Sequence, residues 1–486
     1  MKNKNIAALE PKNVWGHFYG LTQQPRPSKH EEKVRAFIVD FAKKNKLDCK
    51  VDGVGNVIIT KPATKGMENR RGVILQAHLD MVPQKNADKK HDFVKDPIEA
   101  YVDGDWVTAD GTTLGADNGM GCAAIMAVLE SKTIKHGPLE ALFTIDEETG
   151  MTGAFGIKKG MFKGDILLNL DSETEGELYV GCAGGIDATI TLPYKTEAVP
   201  ADSKAFKIAL TGLKGGHSGM DIVLGRGNAN KLMNRLLLRI MEGCSARLVK
   251  LDGGSLRNAI PRESFATVTL PKAKEAKFQK IVEQFYAETK AELSAVEPDY
   301  MVKCEKATLP KTVITAASGK KICRLVYGLP NGVMRMSDAM PIVETSTNMA
   351  IVKADKGVLT VSCLLRSSVD TAKEDLVAQM KSVVALAGGK AEFTGGYPGW
   401  KPNMQSPILK AMQSTYHTLY GKKPKVMAIH AGLECGLLGG VYKNWDMISF
   451  GPTIMYPHSP DEKVNIVSVK KFWDYLVATL AATPKK

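Results

Sequence analysis

Short apolar runs that stop abruptly at ionisable residues recur in the first part of this chain, and they restrict its fold more than any other feature. "VILQAHLD" runs from Val73 to Asp80, "LEALFTID" ends at Asp146, and "DILLNLD" ends at Asp171. Each run has the length and texture of a buried strand. Between the first two lies a Gly-rich turn into an apolar helix, "GADNGMGCAAIMAVLES". Strands alternating with helices predict an α/β domain with a mostly parallel sheet. Side chains repeat every second residue along a strand, so His78 and Asp80 leave the backbone on one face, where the apolar stretch ends. Parallel sheets place their chemistry at such ends. A metal-binding imidazole commonly passes its second ring N–H to a carboxylate, which Asp80 could supply. A His-x-Asp pair at a strand end is also the pattern of a solvated turn.

The 486 residues, 44% hydrophobic and 24% charged, suffice for two or three globular domains. Ser28 with Glu31 three positions on has the form of a capping box that opens the helix through "KVRAFIVDFAKKN". After "GCAGG" at 181–185 the texture changes to well-spaced strands and long helices: "AFKIALTGL" precedes "NANKLMNRLLLRIME", and "ESFATVTLP" precedes "KFQKIVEQFYAETKAELSAV". "GVLTVSCLLRSSVD" then leads into another helix. From about Tyr397 the chain reads as α/β again, through "WDMISFGP" and a closing helix. The expected organisation is a main domain in two parts, 1–185 and 397–486, with an α+β insertion at 186–396.

Charge and cysteine usage exclude several function classes. The formal net charge of +13 is spread thinly, much of it as Lys-Lys pairs, with no long basic block and no interleaved aromatics. That describes a solvated basic surface rather than a nucleic-acid groove. No stretch approaches the length of a spanning helix and the N-terminus lacks an apolar signal segment, so no membrane partner and a cytoplasmic location are expected. The eight cysteines form no CxxC pair, which fits reduced thiols and argues against a cysteine-zinc site.

Further ionisable residues sit like His78, at strand ends or helix starts: Asp117 in "LGADNGMG", Glu147 and Glu148 in "LFTIDEETG", Asp171 in "LLNLDSE" and His458 in "GPTIMYPHSPDE". Each alone has an ordinary reading as a helix cap, a solvated turn, a polar loop or a loop histidine. Their shared placement at strand ends of one scaffold favours a site. Two His with several carboxylates and no thiolate suit a pair of divalent ions, zinc first, with cobalt or manganese as alternatives. A two-metal hydrolytic site needs a bridging carboxylate, an acidified water and a base beside it.

The motifs "LQAHLDMVPQK", "GTTLGADNG", "EETGM", "GCAGGID", "LKGGHSG", "LRNAIPRE", "YPGW", "IHAGLECG" and "GPTIMYPHSPDE" carry a resemblance over essentially the whole length. The chain resembles the di-zinc peptidase and acylase family that includes peptidase T and carnosinase, and within it the dipeptidases that cleave aminoacyl-histidines. The resemblance implies a di-zinc peptidase catalytic domain, α/β with a mostly parallel central sheet flanked by helices, plus an inserted α+β lid domain. It implies that Asp117 bridges two Zn2+ ions, that His78 and Asp171 complete one site, and that Glu148 and His458 complete the other. By the same resemblance Asp80 orients His78, Glu147 is the general base that deprotonates the metal-activated water, and a cis peptide joins Asp117 to Asn118.

In the lid, the resemblance makes His217 a donor to the tetrahedral oxyanion and gives Asn258 and Arg366 the dipeptide's terminal carboxylate. His430 and Glu434 of "HAGLECG" are expected to line the site from the catalytic domain. Closing the lid would bring His217 and Arg366 over the metal pair. The implied activity is hydrolysis of unblocked dipeptides, including Xaa-His and β-alanyl-histidine, with an N-acyl amino acid amidohydrolase of the same family as the alternative. A metal-holding or nucleic-acid-binding protein without turnover is the rival from another class, although Glu147 and every expected ligand are present. The enlarged lid could supply groups that shorter relatives borrow from a partner, so a homodimer stays open.

Overall fold

The computed structural model describes residues 4–486, and the chain divides into two compact units. One takes in the chain up to Cys182 together with Trp400–Ala428 and Leu433–Lys486; the other comprises Ala183–Gly399 and Ile429–Gly432.

The first unit is built on an eight-stranded sheet: β1 (Asp48–Val51), β2 (Val57–Lys61), β3 (Val73–His78), β4 (Leu139–Thr144), β5 (Ile166–Asn169), β6 (Glu177–Cys182), β7 (Lys425–Ile429) and β8 (Asp446–Ser449). The spatial order is β1-β2-β4-β3-β5-β8-β6-β7. The four central strands, β4, β3, β5 and β8, run parallel. The margins turn antiparallel, at β1 with β2, β2 with β4 and β8 with β6. Every residue of β3, β4 and β5 is buried, as uninterrupted apolar strands in the middle of a covered sheet must be.

The register has a direct chemical consequence. His78 lies opposite Thr144, Gln76 opposite Asn169, and Asn169 opposite Ser449, so the parallel strands end along one edge. Residues just beyond those ends, including Asp80, Glu147, Glu148 and Asp171, therefore emerge together. The apolar helix Ala116–Glu130 is buried almost throughout and packs against β3 and the helix Lys12–Thr22. A smaller four-stranded antiparallel sheet includes Ile454–Met455 and Lys463–Asn465, which pair with each other and bracket the loop that carries His458.

The expected capping box at Ser28 does not form. The helix starts at Glu32, and Glu31 precedes it without a side-chain cap hydrogen bond. Ser28 Oγ instead donates to Asp80 Oδ2 at 2.8 Å, and Glu31 Oε1 accepts the amides of Lys29 and Asp146. Asp80 is fully buried and needs donors more than a helix end open to water does.

The second unit has its own core around a nine-stranded sheet whose pairings are antiparallel, with the helices Ala229–Cys244, Glu275–Glu292, Ala316–Gly328 and Asp370–Leu386 packed on it. Its long strands Val343–Asp355 and Val358–Ser367 pair so that Ser346 faces Arg366. Among the described residues no helix is long and apolar enough to cross a membrane. All eight cysteines are free thiols.

Candidate metal centre

His78 ends β3 and is buried, with its ring between three carboxylates. Nε2 lies 3.1 Å from Asp117 Oδ1 and 3.3 Å from Asp171 Oδ1, while Nδ1 lies 3.4 Å from Asp80 Oδ1. Asp80 also accepts the amides of Glu147 at 3.0 Å and Glu148 at 3.2 Å. One buried carboxylate thus ties the His78 ring to the turn that carries both glutamates. Burial alone would raise its pKa, but hydrogen bonds from His78, Ser28 and the Glu147 amide outweigh it and hold Asp80 down to about 2.

Asp117 lies one residue into the helix Ala116–Glu130, where the backbone of Asp117 and Asn118 departs from helical geometry and the peptide between them is cis, as the resemblance implies. Its second oxygen, Oδ2, is 3.3 Å from His458 Nε2, which is also 3.0 Å from Glu148 Oε2. Asp117 therefore stands between the two imidazoles, with Asp171 on the His78 side and Glu148 on the His458 side. One ligand atom each from His78, Asp117 and Glu148 lie within 4.8 Å of one another.

Two features of this group fit a divalent cation. Glu148 Oε1 is buried with no hydrogen-bond partner among the described residues, and the buried Asp171 Oδ1 meets only the His78 ring, a costly arrangement for carboxylate oxygens unless a cation meets them. The donor set, imidazole nitrogen and carboxylate oxygen without thiolate, is the chemistry of zinc and its neighbours. The titration behaviour shows the same crowding of negative charge. Asp171 is pushed up to about 6, by burial first and then by Asp117 and Glu148. His458, whose side chain is 51% exposed, is driven up to about 11 by hydrogen bonds to Asp117 and Glu148. Burial would lower the His78 pKa, yet Asp171, Asp117 and Asp80 together raise it well above the usual value.

Glu147 is partly buried at the start of the short helix Glu147–Gly150, and its carboxyl is held well above the ordinary range by burial, with Asp171, Glu434 and Glu148 adding to it. Glu434 lies close enough to His78 and Asp171 for both to act on its carboxyl. It is fully buried at the start of the helix Glu434–Val441, and Oε2 accepts from Gln76 Nε2 at 2.5 Å and Thr144 Oγ1 at 2.8 Å. The side chains of Gln76 and Thr144 project from the sheet near its C-terminal edge, so Glu434 serves their hydrogen bonding. Burial, aided by Asp171, pushes it up to about 8.

His430 groups with the second unit, whereas Glu434 groups with the first. Its Nε2 lies 2.7 Å from Ser346 Oγ, and burial beside Arg366 and His217 lowers its pKa to about 3. Within that unit Arg366 Nη2 is 3.4 Å from His217 Nε2. His217 Nδ1 accepts the amides of Gly219 at 3.2 Å and Met220 at 3.0 Å. In a neutral ring the proton then sits on Nε2, so two donors face each other, as an anion between them would require. Burial and Arg366 lower the His217 pKa and keep the ring neutral. Asn258 is exposed beside this group, and its carbonyl accepts the Ser218 amide at 2.9 Å. Ser218 and Tyr397, which the sequence reading left without roles, hold the guanidinium through contacts of 3.4 Å. Both lie inside motifs already singled out, "LKGGHSG" and "YPGW".

The fold and this grouping define an α/β protein with a candidate metal centre at the C-terminal edge of its parallel strands. The chain belongs to peptidase family M20/M25/M40, whose pattern it matches over residues 74–482. It is 48% identical over 482 residues to the cytosol non-specific dipeptidase of Escherichia coli strain K12, covering 99% of each chain. The solved structure of aminoacylhistidine dipeptidase from Vibrio alginolyticus is 51% identical, with a TM-score of 0.96 and 99% of each chain covered. An aminopeptidase from Bacillus cereus shares the fold at 15% identity, with a TM-score of 0.57 over 98% of this chain and 99% of that one.

Proposed function

We propose that this chain is a cytoplasmic metallodipeptidase that hydrolyses unblocked dipeptides, including Xaa-His and β-alanyl-histidine. The observation that carries the reading is the placement of Asp117 between His78 and His458, with Asp171 and Glu148 at the outer sides and Glu147 adjacent. The names of the two full-length relatives point to the same reaction. Asp117 would bridge two ions, zinc first, with His78 and Asp171 on one and Glu148 and His458 on the other. Bound there, the ions would polarise the scissile carbonyl and acidify water. Glu147 takes the proton from the attacking water and returns it to the leaving amine, a task suited to a carboxyl whose proton affinity burial has raised. Asp80 fixes the His78 ring and the turn bearing Glu147. In the second unit, the neutral His217 ring supplies an N–H to the developing oxyanion, and Arg366 with Asn258 takes the dipeptide's terminal carboxylate.

The test is release of free histidine from β-alanyl-histidine by untreated, chelator-stripped and zinc- or cobalt-restored protein. Release should vanish with the metal and return with it. If fully metallated protein releases nothing from free dipeptides but cleaves N-acetylated amino acids, the dipeptidase reading gives way to an acylase.

Asp80→Asn offers a finer check. The substitution replaces one acceptor oxygen with an NH2 group among donors that all need an acceptor. Activity at saturating metal is expected to fall roughly 10- to 100-fold while the protein stays folded. An unchanged kcat would remove Asp80 from the orienting role.

A further inference from the structure

Two buried side chains of opposite charge grip the loop that delivers Asp117, and neither belongs to the ligand set. Glu462, four positions after His458, accepts the amides of Leu114 at 2.8 Å and Gly115 at 2.9 Å on Oε2. Its Oε1 accepts those of Ala116 at 2.7 Å and Asp117 at 3.2 Å. Those donors lead into the helix Ala116–Glu130, where Gly115 has no side chain to cap with and Asn118 Oδ1 takes only the later Gly121 amide, at 3.1 Å. A carboxylate is the natural complement of unpaired amides at a helix start. Here it comes from the far end of the sequence.

Arg26 works on the same loop from its carbonyl side. Its Nη2 donates to Gly115 O at 2.5 Å, and its Nη1 donates to Leu79 O at 2.9 Å and Asp80 O at 3.0 Å. The two side chains therefore hold the N–H and the C=O of one residue, Gly115. Arg26 also anchors the two residues after His78, and Glu462 lies on the His458 loop. The glycines of "LGADNGMG" leave room for this arrangement. A Cβ on Gly115, whose φ is +70°, would stand 2.6 Å from Arg26 Nη2, and one on Gly119 would stand 2.7 Å from the same atom.

We propose that Glu462 and Arg26 are positioning residues that fix the Asp117 carboxylate between His78 and His458, and so set the affinity of the centre for its metal ions. This rests on the metal-centre reading above. The three segments bearing His78, Asp117 and His458 are far apart in sequence, and backbone hydrogen bonds to these two buried side chains hold them in register. Glu462→Gln keeps size and shape but turns one oxygen into a donor facing two amides. Arg26→Lys keeps the buried charge and loses the fork that reaches three carbonyls.

The experiment measures cobalt binding by competition with a chromophoric chelator, together with the visible spectrum of the bound cobalt. Wild type, both variants and Leu480→Ala are compared. Leu480 is buried in the closing helix Ile466–Ala482, so its truncation lowers stability without touching the centre. Glu462→Gln and Arg26→Lys should bind cobalt roughly 10- to 100-fold more weakly and alter its spectrum, whereas Leu480→Ala should do neither. If Glu462→Gln fails to fold, Arg26→Lys carries the test. Affinities within about twofold of wild type, or an equal loss in Leu480→Ala, would reduce the pair to ordinary fold stability. Wild-type protein that binds no cobalt would overturn the metal-centre reading itself, and this proposal with it.

Discussion

Glu147→Gln should lower dipeptide turnover by roughly 100- to 10,000-fold while leaving metal content unchanged. Gln has nearly the same shape, and its backbone amide can still donate to Asp80, so the turn that carries Glu148 keeps its anchor. What it lacks is a group that can take and return a proton. Burial, with Asp171, Glu434 and Glu148 nearby, raises the Glu147 pKa toward the range where a carboxylate is an effective base at neutral pH, against the opposing pull of His78. The informative comparison is Glu148→Gln, which should lose metal as well as activity, because Glu148 contacts His458 and leaves a buried oxygen unpartnered. If the two variants exchange behaviour, with Glu147→Gln losing metal, the base and the ligand have been assigned the wrong way round.

Much of the first unit was legible because its strands carry their burial in plain form. "VILQAH", "LEALFT" and "ILLN" are buried at every position, so apolar runs alone located β3, β4 and β5. Their parallel register then placed the residues that follow on one edge, which is why His78, Asp80, Glu147, Glu148 and Asp171 could be read as a group. His458 was harder, since it sits on a loop at positive φ, where a histidine also reads as an ordinary loop residue.

Non-local polar contacts lay out of reach. Ser28 reads as a helix cap until Asp80, 52 positions away, claims its hydroxyl. Nothing in the sequence pairs Glu434 with Gln76 and Thr144, whose side chains donate to it. The pattern of strands and helices says nothing about which buried acceptor will take which distant donor. Glu462, separated from its amide partners by at least 345 positions, is another such case.

Asp117→Ala is expected to abolish turnover and reduce bound metal to at most one weakly held ion. Among the described residues Asp117 is the carboxylate seen to approach both imidazoles, through Oδ1 to His78 and Oδ2 to His458. Burial would raise its pKa, but the two histidines overcome that and hold it far below the ordinary value, so it stays ionised across the working range. The same histidines predict a pH dependence of metal uptake. Without metal, His458 titrates at about 11 and His78 well above its usual value, so at neutral pH both rings carry protons that a metal ion must displace. Zinc affinity should therefore rise with pH between about 6 and about 8, and loading should release protons. On the acid side Asp171, titrating at about 6, adds a further competing proton. Calorimetric titrations in buffers of different ionisation enthalpy count those protons directly, and Asp117→Ala should release fewer of them than wild type. Retention of two tightly bound ions and most of the activity in Asp117→Ala would mean that the imidazoles serve separate sites with no shared carboxylate. In that case the bridge, and the two-metal chemistry built on it, would have to be abandoned.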